Sequence, residues 1–94
     1  MAKTWDDNTL RLTSANDGTD SRFTCKSITV VPSAANWVVI VKDVDGVLTK
    51  FQQLGADARG DSYYVEGIIF DGAVLTTATN LTAVIFNGTR HLGN

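Results

Sequence analysis

One cysteine, one histidine, one proline and one glutamate are all that this chain of 94 residues contains of those four residue types. With Cys25 alone, no disulfide can form within the chain, and no cluster of cysteine and histidine offers a structural zinc site. His91 is far from Cys25 in the sequence, and Glu66 has no second carboxylate beside it, so neither a thiol nucleophile nor an acid–base pair is indicated. The sequence therefore predicts no enzyme, no metal and no cofactor.

Long apolar runs and clusters of positive charge are also missing. No stretch approaches the roughly 20 apolar residues of a membrane-spanning helix, and residues 1–7 do not resemble a signal peptide. The formal net charge is -2 and the eight Lys and Arg residues are scattered, so there is no basic stripe to bind a phosphate backbone. We expect a protein made in a reducing cytoplasm, with neither a membrane nor a nucleic acid as its partner.

β-branched residues, in contrast, are abundant. Ten Val, five Ile and twelve Thr residues make up 27 of the 94, and they fall in short runs separated by Gly, Asp and Asn, which is typical of strands. The sequence predicts a single all-β domain over residues 1–94, built as a small β-sandwich or jelly-roll-like barrel of five to seven antiparallel strands. Residues 1–8 and 89–94 are predicted to be arms or tails.

The strongest local signal is a hairpin centred on Asp45-Gly46. Both residues tolerate a positive φ, so a two-residue turn is predicted between the flanking β-rich runs. The first arm, residues 37–41, is apolar at every position, as expected of a central strand covered on both faces. The second arm mixes apolar and polar residues and is expected nearer to an edge. Residues 43–46 also resemble the start of a calcium-binding loop. Such a loop needs a glutamate at its twelfth position, where this chain has Leu54, so no calcium is expected.

Other strands are predicted before and after the hairpin. Residues 23–31 form a run that ends at Pro32, and a change of phase near Lys26-Ser27 predicts a bulge. Residues 62–70 and 81–86 form two more runs, punctuated by Asp71-Gly72 and Asn87-Gly88. A further short strand is predicted around residues 9–13.

A match to the integrin-binding tetrapeptide lies between two of these runs, at Arg59, Gly60, Asp61 and Ser62. Its surroundings have the composition of an exposed loop, which adhesion requires but which any turn of this composition also gives. An integrin ligand would be secreted, and no secretion signal is found. We therefore interpret the tetrapeptide as a plain turn.

Association between subunits is the expected supplement to the core of so small a domain without a disulfide or a metal. Aromatic residues bury the largest area per residue and are enriched at subunit contacts. The predicted core and interface anchors are Trp5, Trp37, Val39, Val41, Tyr63, Tyr64 and Phe70. The alternative interpretation is that Trp37, Tyr63, Tyr64 and Phe70 form a platform for sugar rings.

The order of four segments resembles small β-sandwich virion proteins of tailed bacteriophages. The segments are Lys26-Ser-Ile-Thr-Val30, residues 43–48, residues 64–70 and residues 81–86, and the resemblance covers residues 20–88. It implies a non-enzymatic capsid decoration or cement protein that binds the outside of the shell in several copies, often as a trimer.

The partner that this resemblance implies is the major capsid protein or another virion protein. The implied location is the virion, after synthesis in the host cytoplasm. The same motifs do not separate a head protein from a tail or fibre component, which would be a carbohydrate- or receptor-binding module. Such a module would use Trp37, Tyr63 or Tyr64, or the loop of residues 55–62.

Overall fold

The computed structural model describes residues 5, 6 and 8–91, and these form one antiparallel β-sheet. Its strands are β1 (Thr9–Leu12), β2 (Gly18–Pro32), β3 (Trp37–Lys42), β4 (Thr49–Gly55), β5 (Asp61–Thr79) and β6 (Leu81–Arg90). The strand order across the sheet is β1-β6-β2-β5-β3-β4, and every neighbouring pair is antiparallel. The prediction of an all-β domain with five to seven antiparallel strands is confirmed. The sheet is a single one and it is not closed.

Within the described part of the chain there is no helix of the length and apolar character needed to cross a membrane.

β5 joins the two parts of the sheet. From Asp61 to Val74 it pairs with β2, and from Val74 to Thr79 it pairs with β3. The β3–β4 hairpin also contacts the first part of β5 through side chains, since the Phe51 ring lies 5.5 Å from the Tyr63 ring. Both parts of the sheet therefore share one hydrophobic core.

Three phenylalanines form the centre of that core. The rings of Phe23 and Phe70 are stacked with their centroids 4.9 Å apart, and Phe86 packs edge-on against both, at 5.9 and 5.8 Å. Trp5 lies edge-on against Phe23 at 5.0 Å, and its Nε1 donates a hydrogen bond to Thr19 Oγ1 at 3.4 Å. Trp5 thus belongs to the packed domain although it lies within the predicted N-terminal arm. Residues 1–4 and 7 are outside the described residues.

The bulge predicted near Lys26-Ser27 is present. The β2–β6 register shifts by one residue at Lys26, and the buried positions of β2 change phase there, from Cys25 before the bulge to Ile28 after it. Opposite this point β5 has its own extra residues, Glu66 and Gly67, with φ angles of 54° and 82°. The phase change in the sequence was a correct signal because alternation in a strand follows burial directly.

Two glycine dipeptides that were expected to end strands lie within them. β5 continues through Asp71-Gly72 and β6 continues through Asn87-Gly88. At both places glycine permits close approach of a neighbour: a Cβ on Gly88 would run into the carbonyl oxygen of Thr24. The predicted strand ends were therefore wrong, and Thr89 and Arg90 are the last residues of β6 rather than part of a tail. Residues 92–94 are outside the described residues.

The hairpin of β3 and β4 is confirmed, but its turn is longer than two residues. The Asp43 N–H donates to the Leu48 carbonyl at 3.0 Å, and the Gly46 N–H donates to the Asp43 carbonyl at 2.8 Å. Gly46 has a φ of 77°, whereas Asp45 is not among the residues with positive φ, so the two-residue turn that needs both is wrong. β3 is paired on both sides and β4 is the last strand of the sheet, as the composition of the two arms indicated.

Candidate functional site

Most of the residues predicted as interface anchors lie in the core of the domain itself. The buried members are Trp5, Trp37, Val39, Val41 and Phe70. Tyr63 is half-buried against Phe51, and burial, followed by the nearby charge of Asp61, raises the pKa of its hydroxyl. Tyr64, in contrast, is 80% exposed. Of the predicted set, Tyr64 is the residue that offers its whole ring at the surface.

Trp37 is buried because the chain places a glycine beneath it. Its indole lies over Gly55, where any larger residue would meet the ring, and its Nε1 donates a hydrogen bond to the Asp57 carbonyl at 2.9 Å. Along β3 burial alternates, with Val38 and Ile40 half-buried on the opposite side. The all-apolar sequence of this arm therefore reflects one fully covered face and one partly covered face.

The tetrapeptide at Arg59 to Ser62 is exposed, but it is not the tip of a projecting loop. β5 begins at Asp61, and Ser62 pairs with Thr29 in β2, with a hydrogen bond of 2.8 Å between their hydroxyls. Gly60 lies close to β2, since a Cβ there would be 2.7 Å from the Val30 carbonyl oxygen. These contacts favour the interpretation as a turn that leads into a strand.

One extended surface remains, the side of β1, β6, β2 and β5 that faces away from the core. Strand register and alternation place eleven residues on this outer face: Thr9, Arg11, Thr24, Ser27, Thr29, Ser62, Tyr64, Ile69, Ile85, Asn87 and Thr89. Hydroxyl and amide side chains predominate among the eleven, and one of them, Arg11, carries a charge. Beyond Thr24 and Ile69, the same alternation places Arg22 and Asp71 on this side, where Arg22 Nε and Asp71 Oδ1 form an exposed ion pair at 3.2 Å. The outer face is therefore mainly polar, with few charges, two of which are paired with each other.

A row of polar groups crosses the outer face in line with Tyr64. In register, Tyr64 lies beside Ser27, Ser27 beside Asn87, and Asn87 beside Thr9. Asn87 Nδ2 donates to Ser27 Oγ at 3.4 Å, and Thr9 Oγ1 donates to Asn87 Oδ1 at 3.2 Å. These hydrogen bonds fix the hydroxyl and amide groups of the row, which extends from Tyr64 on β5 across β2 and β6 to β1.

Apolar and hydroxyl groups flank this row. Ile69 is 41% exposed on β5, beyond Tyr64. Its neighbour on β2, Thr24, forms a hydrogen bond of 2.6 Å with the ring nitrogen Nε2 of His91. At the bulge, Lys26 on β2 and Glu66 on β5 are exposed and carry opposite charges.

The Cys25 thiol is buried in the core and is held in its protonated form. Burial raises the pKa of the Cys25 thiol to about 12, and the Sγ donates a hydrogen bond to the Ser27 carbonyl at 3.3 Å. Within residues 5, 6 and 8–91, no group of three or more His, Cys, Asp or Glu residues is placed to hold a metal ion.

Exposed apolar residues also mark the two ends of the β3–β4 hairpin. At its turn, Val47 and Leu48 are 76% and 56% exposed, and we call these two residues the hairpin tip. At its other end a cavity of about 180 Å³, which we call the base pocket, is lined by Asn36, Trp37, Val38, Leu54, Gly55 and Ala56.

Sequence reasoning found Tyr64 but not the face around it. The positions of Thr24, Ser27 and Thr29 in β2 could have predicted this face. They lie on the same side only because Lys26 is an extra residue in the strand, so the bulge has to be assigned first. Comparison of the chain with protein-family models, with curated proteins and with solved structures gave no match.

Proposed function

We propose that this chain is a non-enzymatic structural protein of a bacteriophage virion, a decoration or cement protein that attaches to the capsid through its outer face. The observation that carries the proposal is the ring of Tyr64, which is 80% exposed on β5, at the margin of a mainly polar sheet face. The partner is the major capsid protein or another virion protein, and the chain is made in the host cytoplasm before it joins the particle. The resemblance of residues 20–88 to such virion proteins supports this choice.

The outer face suits a broad partner better than a small molecule. Four adjacent strands span roughly 15 to 20 Å at about 4.8 Å per strand, a width that a macromolecular partner can cover. A surface with few ions loses little hydration energy when it is covered, and an exposed tyrosine is a common anchor of protein interfaces. Repeated weak attachment through several copies would then give firm binding to a shell.

The finer description of the fold, a small sandwich, is also part of this proposal. In it, the β3–β4 hairpin is the second layer, which covers the core side of β2, β5 and β6. The contact between Phe51 and Tyr63 supports this arrangement, as does the position of Lys50 Nζ, 6.0 Å from the centre of the Phe70 ring.

The test measures binding of the purified protein to capsid shells that lack it. Tyr64→Ser should weaken attachment at least tenfold, because about 1.4 kcal/mol of binding energy per site corresponds to a factor of ten. Gln52→Ser is the control, since Gln52 is exposed on β4, away from the outer face and outside the hairpin tip and the base pocket. Equal binding by the Tyr64 and Gln52 variants, or no binding of the native protein to shells, would refute the proposal.

A tail or fibre component that binds carbohydrate is the second candidate, and the polar row favours it. An oligosaccharide that lies along the row, with one ring stacked on Tyr64, would find the amide of Asn87 two strands away and the hydroxyl of Thr9 three strands away as hydrogen-bonding partners for its other rings. A glycan array separates the two candidates. Retention that is lost in Tyr64→Ala but kept in Gln52→Ser, together with no attachment to shells, would establish the carbohydrate module in place of the decoration protein.

A further inference from the structure

The two ends of the β3–β4 hairpin are complementary, since one presents apolar side chains and the other an apolar pocket. They are too far apart to contact each other within one molecule. The hairpin tip presents two apolar side chains, and the base pocket is lined mainly by apolar groups. β3 has six residues, so the tip and the pocket lie roughly 20 Å apart at about 3.3 Å per residue. We propose that copies of this chain associate head to tail, with the hairpin tip of one copy seated in the base pocket of the next.

Hydrogen bonds within the molecule hold the backbone of the hairpin tip in a defined shape. The Val47 N–H donates to Asp45 Oδ1 at 2.9 Å, and the Leu48 N–H donates to Asp43 Oδ1 at 3.2 Å. Next to them, the Val44 N–H donates to the Asp71 carbonyl at 3.4 Å, which ties the turn to β5. A loop that is already held in its shape loses little conformational entropy on binding. The two carboxylates therefore support the presentation of the apolar side chains beside them.

The base pocket has the size and lining to accept one such side chain. A cavity of about 150 Å³ lined by apolar groups can take up a molecule as large as benzene, and the base pocket measures about 180 Å³. Trp37 forms part of its wall and is fixed by the hydrogen bond to the Asp57 carbonyl. Leu54, 70% exposed on β4, would cover the inserted side chain and lose its own contact with water.

The strand that connects the two ends supports a second copy as the occupant. β4 is the last strand of the sheet, so the backbone of one of its sides has no partner strand among the described residues. Its sequence contains no proline and a single charge, on Lys50, and an edge of this kind is open to another chain. The tip, the free edge and the pocket thus form one continuous surface along the hairpin.

A contact between two different patches on identical chains either closes into a ring or continues as a filament. A ring would present several outer faces to a shell at once and so strengthen the attachment. This consequence rests on the proposed function. The association itself is measured on the purified chain, so its failure would leave attachment of a single copy to the shell unaffected.

The first experiment uses two single-cysteine additions, Val47→Cys at the tip and Ala56→Cys at the pocket. Cys25 is fully buried and does not compete. Under mild oxidation, a mixture of the two variants should give a disulfide-linked dimer, whereas each variant alone should give at least tenfold less. Equal linking by Val47→Cys alone would show a tip-to-tip contact, and no linking in the mixture would exclude the tip from the pocket; either result overturns the proposal.

The second experiment measures self-association by sedimentation over a range of concentrations. Val47→Asp should raise the dissociation constant at least tenfold, and it leaves the core intact because the side chain is exposed. Tyr64→Ser, on the outer face, should leave the constant unchanged. A native protein that remains monomeric at high concentration, or one that loses association in Tyr64→Ser and keeps it in Val47→Asp, would refute head-to-tail association.

Discussion

Val44, in the turn of the β3–β4 hairpin, packs directly on Gly72 in the middle of β5. A Cβ at residue 72 would lie 2.6 Å from the Val44 Cβ and 2.8 Å from the Thr19 carbonyl oxygen. Gly72 also has a φ of 75°, which favours glycine. This contact fixes the hairpin turn to the long strand that carries the rest of the sheet.

Replacement of Gly72 should therefore cost more than backbone strain alone. In Gly72→Ala we expect a loss of unfolding free energy of about 2 to 4 kcal/mol, the sum of left-handed strain and a clash. Gly46→Ala is the matched control, since Gly46 has a φ of 77° but a Cβ added there would have no neighbouring atom within 4 Å; it should cost about 1 to 2 kcal/mol. Urea denaturation measures both, and equal losses would mean that the Val44 contact contributes nothing.

Glu66 should be a strained residue whose replacement by glycine stabilises the protein. Its φ of 54° is unfavourable for a residue with a side chain, and Glu66→Gly should raise the free energy of unfolding by about 0.5 to 1 kcal/mol. Glu66→Gln keeps the strain and removes the charge, so it should leave stability within about 0.5 kcal/mol of the native value. A loss of stability in Glu66→Gly would show that the surroundings prefer the side chain.

Asp17 should be important for the turn between β1 and β2. It is buried, and its Oδ2 accepts hydrogen bonds from the Thr13 N–H at 3.0 Å, from Thr13 Oγ1 at 3.2 Å and from the Ser14 N–H at 3.0 Å. Asp17→Ala should cost about 2 to 4 kcal/mol, because these donors lose a charged acceptor inside the protein. Asp17→Asn retains an acceptor oxygen and should cost less. Thermal or urea unfolding that ranks the two variants equally would contradict this role.

The Cys25 thiol should make the protein less stable in alkali. Burial raises its pKa to about 12 in the folded state, against 9.0 for an unperturbed thiol. Its contribution is therefore fully present below about pH 9 and is lost as the pH rises toward about 12, because the unfolded chain releases the proton first. The free energy of unfolding of the native protein should fall more steeply over this range than that of Cys25→Ala. If the free energy of unfolding falls equally with pH in the native protein and in Cys25→Ala, the raised pKa of the thiol is refuted.

The same burial predicts slow thiol chemistry in the folded state. At pH 8 an alkylating reagent should modify Cys25 at a rate that rises with urea concentration as the protein unfolds. Rapid modification of the native protein without denaturant would indicate that β2 opens locally around the thiol.

Local patterns predicted the features that depend on few residues. The bulge at Lys26 follows from the apolar phase of β2 alone, and the hairpin follows from two β-rich runs around Asp45-Gly46. The length of β5 did not follow, because Asp71-Gly72 has the same letters whether it ends a strand or makes room for Val44. Distant contacts decide between these outcomes, and a single sequence does not contain them.

The candidate site was predictable to a similar extent. Tyr64 was among the residues chosen, but Trp37 was chosen with it, and its burial depends on Gly55 at the far end of β4. An aromatic residue in a strand has the same local signature whether it faces the core or the solvent. Register and bulges assign the face, and both follow from the pairing of β2 with β5 and β6.

β5 belongs to two pairings in succession, with β2 along its first part and with β3 along its last. Neither half of the sheet can separate from the other without breaking hydrogen bonds of this one strand. A force applied between the hairpin and the outer face would thus be carried lengthwise by a single continuous backbone, which is the arrangement that a reinforcing element needs.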